Sequence, residues 1–233
     1  MAYRAIFMSD IHGNLPALEA VHRSLPDHDA VFVAGDLCLE GPCPAQVLDL
    51  LWDAGWTLVM GNTDHDIVSP AEDAKQLKRD RVAWTRDALG ADQLVRLASL
   101  PFSVRCEREG IDTVLVVHAN PINMNDHLPP TLSASQLAPY LNEVDARIVV
   151  FGHLHTPYIR PVDTTVLVDV SSVGHPKDRD LRAAYTIITW DGKRRSIEQV
   201  RIPYDVDQAV ALLRRSDMPG AEEQIESLLK ASY

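Results

Sequence analysis

The stretch "AIFMSDIHGNLPALEAV", Ala5 to Val21, decides how the chain is read. Ala5 to Met8 is short and apolar, as a buried strand is. It breaks at Ser9-Asp10 into a polar loop that closes on Gly13-Asn14. From Leu15 onward the apolar residues Leu15, Leu18, Val21 and Leu25 fall at helical spacing. The same grammar returns twice. Ala30 to Ala34 ends at Gly35-Asp36, ahead of a helical stretch over Ala45 to Trp52, and Thr57 to Met60 ends at Gly61-Asn62. Short apolar strands alternating with helices predict an α/β chain with a parallel sheet covered on both faces.

Further along, the pattern changes. Residues of about 69–100 are polar and helix-prone, with Leu77, Val82, Trp84, Leu89, Leu94, Leu97 and Leu100 as apolar positions. They predict a helical insertion beside the sheet that partly caps a site. Strands are expected at about 102–106 and 113–117, a helix over 132–141 and a strand over 147–151. The runs 158–161, 164–170, 183–190 and 196–202 follow without long helices between them. They predict meander or hairpin pairing, with Asp191-Gly192 as a turn. A tail over about 205–233 reads as two short helices split at Pro219-Gly220. The whole of 1–233 is read as a single domain.

Composition narrows the function classes. Hydrophobic content of 46% and charged content of 24% are those of an ordinary globular chain. No apolar run approaches the roughly 20 residues that span a bilayer. The start reads as a first strand rather than a signal peptide, and the three cysteines, Cys38, Cys43 and Cys106, match no disulfide or zinc-ribbon framework. A cytoplasmic location is expected. The net charge of −11 repels a nucleic-acid backbone. It leaves room for a small phosphorylated substrate, because bound cations would reverse the local field.

Polar residues collect at the ends of the strands. The first strand ends in Asp10-Ile11-His12, the second in Gly35-Asp36 and the third in Gly61-Asn62-Thr63-Asp64-His65. The strand over 114–117 ends in His118, and the one over 148–151 in Gly152-His153-Leu154-His155. Singly, each has an ordinary structural reading: a turn, a helix cap or a satisfied core histidine. Together they lie at the carboxyl ends of five strands, where open α/β sheets bind ligands. Carboxylate, amide and imidazole donors without thiolate suit manganese, iron, nickel, zinc or cobalt. Seven such donors exceed the needs of one ion and fit two.

The order Asp-x-His, Gly-Asp, Gly-Asn, His, Gly-His-x-His resembles that of the calcineurin-like metallophosphoesterase superfamily, in its small bacterial and archaeal phosphoesterase branch. The flanks "SDIHGNLPALEAV", "VAGDLCLEGPCP" and "SSVGHPKDRDLRAAY" carry the same likeness. The resemblance implies a four-layer α/β/β/α sandwich of two mixed sheets flanked by helices. It implies a first metal on Asp10, His12 and His155, a second on Asn62, His118 and His153, and Asp36 as the bridge. It also implies hydrolysis of phosphodiesters or phosphomonoesters by a metal-bridging hydroxide, with manganese foremost among the ions.

One position departs from the commoner pattern. Thr63 stands where many members of the superfamily carry a histidine that meets the substrate or protonates the leaving group. Asp64 and His65 are the nearby candidates for that acid, and good leaving groups should be turned over best. His175 and Lys177, in "GHPKD", read equally as substrate-loop residues or as an ordinary polar loop. His22, His28 and His127 read as structural or surface histidines. Two other functions compete: a protein-interaction scaffold that has lost catalysis, which seven intact ligand positions argue against, and a nuclease, which the charge argues against. The tail's Leu212, Leu213, Leu228 and Leu229 are expected to pack either on the domain or on a second copy of the chain in a homo-oligomer.

Overall fold

The computed structural model describes residues 2–232. Its elements run β1 (Tyr3–Met8), α1 (Leu15–Ser24), β2 (Ala30–Val33), α2 (Pro44–Asp53), β3 (Thr57–Leu58), α3 (Asn62–Val68), α4 (Gln76–Ala88), α5 (Ala91–Ala98) and β4 (Ser103–Cys106). Then come β5 (Val114–Val117), α6 (Ala134–Leu141), β6 (Ile148–Phe151), β7 (Tyr158–Val162), β8 (Thr165–Asp169), β9 (Ala183–Asp191), β10 (Arg194–Ile202), α7 (Val206–Arg215) and α8 (Ala221–Lys230).

The strands form two five-stranded sheets, ordered β10-β9-β1-β2-β3 and β4-β5-β6-β8-β7. The pairs β1–β2 and β2–β3 are parallel, as the alternating strand and helix pattern predicts. So are β5–β6 and β6–β8. Antiparallel strands sit on the flanks: β9 on β1, β4 on β5 and β7 on β8. The late strands therefore do not make one meander. β7 and β8 complete the second sheet, whereas the β9–β10 hairpin returns to the first.

Alternation along β1 explains the layering. Ile6 and Met8 point into a core shared with α1, α2 and the insertion, through Leu18, Val21, Val47, Leu51, Val82 and Leu97. Ala5 and Phe7 point the other way, into a core between the sheets with Phe32, Val116, Val150 and Val168. Phe7 and Phe32 stack there with ring centroids 5.2 Å apart. The outer face of the second sheet, Leu115, Val149, Phe151 and Leu167, is covered by Leu137 of α6. The result is the α/β/β/α order, with a single sheet covered by helices on both faces replaced by two sheets that cover each other.

The insertion lies beside the first sheet as α4 and α5. The tail helices pack through Ala209, Val210, Leu213, Ile225 and Leu228 in a cluster that reaches Trp84 of α4. Leu213 and Leu228 are thus covered within the chain, while Leu229 remains 49% exposed. All three cysteines are buried free thiols. Among the described residues, no helix is long and apolar enough to cross a membrane.

Candidate metal centre

The carboxyl ends of β1, β2, β5 and β6, with the start of α3, meet at one edge between the sheets. The loops there are joined by backbone hydrogen bonds: Asp10 N–H to Gly35 O, His12 N–H to Asp36 O and Gly13 N–H to Leu37 O, each 3.0 Å. Asn14, rather than Asp10, caps α1, its Oδ1 accepting from Ala17 N–H. Two glycines make the approach close enough. A Cβ on Gly61 would collide with the carboxylate of Asp36, and one on Gly152 with that of Asp10.

Asp10, His12, Asp36, His153 and His155 all sit at positive φ, between 48° and 67°. The left-handed region costs an L-residue about 1–2 kcal/mol. Asp, Asn and His enter it most readily among non-glycine residues. Five such residues in one cluster indicate side chains aimed at a common point by their neighbours.

Two groups of donors result. Asp10, His12 and His155 have ligand atoms within 4.8 Å of one another, and so have Asp36, His118 and His153. His155 Nε2 lies 3.0 Å from Asp10 Oδ1, and His12 Nε2 lies 3.3 Å from His155 Nε2. In the second group, His118 Nε2 lies 2.8 Å from Asn62 Oδ1 and 3.1 Å from His153 Nδ1. Asp36 stands between the groups. Its Oδ2 is 3.8 Å from His12 Nε2 and its Oδ1 is 3.4 Å from His118 Nε2.

The outer nitrogens fix the tautomers. His12 Nδ1 meets Leu39 O at 3.1 Å, His118 Nδ1 meets Ala34 O at 2.8 Å, and His155 Nδ1 meets His175 O at 2.5 Å. His153 Nε2 meets Asn125 O at 3.0 Å. A carbonyl only accepts, so each of these nitrogens carries its proton. Neutral rings held this way would turn lone pairs toward one another, which is unfavourable unless a proton or a cation lies between them. This is the outer support found around metal-bound histidines. Asp10 Oδ1 is buried and accepts no hydrogen bond. An orphaned carboxylate oxygen among converging nitrogens fits a divalent cation.

Electrostatics follow the same geometry. Burial works to raise Asp10, but the His155 and His12 rings that face it outweigh the burial and hold the carboxyl well below its usual range. Burial works to lower His12, but Asp10, Asp36 and Glu40 outweigh it and raise the ring to about 9. His118 is likewise raised against its burial, chiefly by Asp36. His153 goes the other way: burial, then the adjacent His118, push it down to about 4.

The candidates for the missing acid are not brought into this arrangement. His65 is exposed on α3. Asp64 is fully buried beneath the site, where its oxygens accept from the backbone N–H groups of Asp36, Leu37 and Gly61. Burial and the neighbouring Asp36 raise it to about 6. His175 is also turned away from solvent, its ring meeting Ser227 Oγ of α8 at 2.9 Å. Lys177 is half-buried, and its backbone N–H donates to His155 O at 2.9 Å. His127, read from sequence as structural or surface, stands against the second group, its ring centroid 4.4 Å from that of His153. Its position nine residues after His118, in the loop leaving β5, was the one available signal.

Comparisons with known proteins agree with the fold. The uncharacterized protein MJ0912 of Methanocaldococcus jannaschii is 27% identical over 91% of this chain and 92% of its own length. A metallophosphoesterase from Sphaerobacter thermophilus superposes with a TM-score of 0.79 at 25% identity, covering 99% of this chain and 100% of that one. The hypothetical protein PH1004 of Pyrococcus horikoshii shares the fold, with a TM-score of 0.85 at 17% identity and 99% of both chains covered. The family description "Calcineurin-like phosphoesterase superfamily domain" matches residues 4–193, a span that holds every donor of the two groups. The chain therefore belongs to the calcineurin-like phosphoesterase superfamily.

Proposed function

We propose that the protein is a metal-dependent hydrolase of small phosphodiesters or phosphomonoesters, with two divalent cations, manganese foremost, as its resident cofactors. Asp10, His12 and His155 would hold the first ion, and Asn62, His118 and His153 the second. Asp36 would offer one carboxylate oxygen to each. The observation that carries this reading is the placement of Asp36, whose two oxygens face different imidazole groups. Ions held there would supply Lewis-acid polarisation of a phosphoryl group and a water acidic enough to react near neutral pH.

The chain's own residues do the rest. Four backbone carbonyls lock the imidazoles in the tautomer that presents a lone pair to the site. Asp10, His12, Asp36, His118 and His155 are buried, whereas Asn62 and His153 are half-exposed. The substrate would therefore arrive on the Asn62 and His153 side. A phosphate ester suits a chain of net charge −11 only at a point where cations reverse the field. A cytoplasmic location and a small-molecule substrate belong to the same reading.

Hydrolysis of bis-p-nitrophenyl phosphate and p-nitrophenyl phosphate tests it. Metal-stripped protein should be inactive, and adding back Mn, Ni, Co, Zn or Mg singly should restore turnover with at least one ion. The ratio of the two rates reports whether diesters or monoesters suit the site. Protein that carries two ions yet turns over neither ester would favour an interaction scaffold instead.

A further inference from the structure

The loop from Ala119 to Pro130 is more ordered than its sequence suggests. Asn120 is fully buried. Its Oδ1 accepts from the backbone N–H groups of Ile122 and Asn123, and its Nδ2 donates to Asp126 O at 2.8 Å. Asn123 Oδ1 accepts from the N–H groups of Asn125 and Asp126. Tyr140 of α6 donates its hydroxyl to Asp126 Oδ2 at 3.0 Å. On the other side of His127, Leu128 is buried and its carbonyl accepts from the hydroxyl of Tyr158. His127 is thus held between two anchored residues, with its side chain exposed.

Its position follows from those anchors. Asn125 O takes the Nε2 proton of His153, and two residues later the His127 ring lies against the His153 ring at 4.4 Å and 50°. His153 is one of the two half-exposed donors, so His127 borders the open side of the second group. The positive charge of Lys177 also acts on the His127 ring. Lys177 is tied by its backbone to His155 of the first group. An exposed imidazole beside the second group, with a lysine charge acting on it, suits contact with anionic oxygens.

We propose that His127 is a substrate-contacting residue, donating a hydrogen bond to an oxygen of the phosphoester on the solvent side of His153. This rests on the phosphoesterase reading and assigns part of its specificity to a loop far in sequence from position 63. Thr63 brings no imidazole to the site, and the loop after β5 brings one. The contact is a hydrogen bond to the bound ester, so His127 acts on the substrate rather than as a support for His153.

Two variants separate these roles. His127→Phe keeps an aromatic ring beside His153 but removes the donor, and His127→Gln keeps a donor without the ring. Both are expected to bind metal as the wild type does. On the better of the two nitrophenyl esters, His127→Phe should lose roughly 10–100-fold in kcat/KM, the loss expected for one hydrogen bond to a charged group. His127→Gln should recover part of it. Inorganic phosphate, titrated calorimetrically into metal-loaded protein, should bind more weakly to His127→Phe by a similar factor. Wild-type kcat/KM and phosphate affinity in His127→Phe would overturn the proposal, as would a loss explained by lost metal. If metal-loaded wild type neither turns over ester nor binds phosphate, the phosphoesterase reading itself falls, and His127 loses its substrate with it.

Discussion

Asp64 lies under Asp36 and accepts its backbone N–H at 2.9 Å through Oδ2. The same oxygen accepts from Gly61 N–H at 3.0 Å, and Oδ1 accepts from Leu37 N–H at 2.9 Å. Asp36 Oδ1 accepts in turn from Thr63 N–H at 3.0 Å. The loops after β2 and β3 are therefore clamped together directly beneath the carboxylate that stands between the two donor groups.

Replacing Asp64 should be costly. Asp64→Ala leaves three buried N–H groups without an acceptor. An orphaned buried group costs about 1–3 kcal/mol, and partial relaxation lowers the total, so a loss of about 3 kcal/mol is expected. Urea unfolding of the metal-free protein measures it. A change below about 0.5 kcal/mol, the range of an ordinary surface substitution, would contradict the clamp.

His65, by contrast, should be dispensable. It is exposed on α3 and outside both donor groups. His65→Ala is expected to keep its rate on an ester with a poor leaving group within about twofold. Loss of a general acid would remove about a hundredfold or more. Such a loss would restore His65 as the proton donor expected from its closeness in sequence to Thr63.

Ion binding should release protons. The carboxylates around His12 raise it against its burial to about 9, so the metal-free protein holds an imidazolium there at pH 7. An ion takes only the neutral ring. Affinity of the first site should therefore rise with pH by up to about tenfold per unit and level off above about 9. The sign for folding is opposite. A histidine raised from 6.5 stabilises the metal-free fold fully below that pH, and the contribution fades as pH climbs through about 9. Calorimetry at pH 6, 7 and 8, in buffers of different ionisation enthalpy, checks the binding part. Affinity that stays flat over that range would contradict it.

Much of this site was legible because strand ends announce themselves. Asp10, Asp36, Asn62, His118, His153 and His155 each follow an apolar run, and parallel strands carry their ends to one edge. The division into two sheets was not legible from strand and helix alternation, since nothing local in β9 states that it leaves β8 to pair with β1. That came from the resemblance. Asp64 and His127 show a different limit. A carboxylate beside a metal motif reads the same whether it faces ions or backbone N–H groups, and only its place in the first turn of α3, bonded back to Gly61 N–H, and the close loop approach turn Asp64 under. His127 is placed by Asn120, Asn123 and Tyr158, hydrogen bonds whose geometry residue spacing does not encode.

The most direct test of the account is electron paramagnetic resonance of the manganese-loaded protein beside Asp36→Asn, with metal counted per chain. Two ions per wild-type chain with a spin-coupled spectrum, and loss of that coupling in Asp36→Asn, is the result the position of Asp36 between His12 and His118 predicts. One ion per wild-type chain with an uncoupled manganese signal, unchanged in Asp36→Asn, would contradict it.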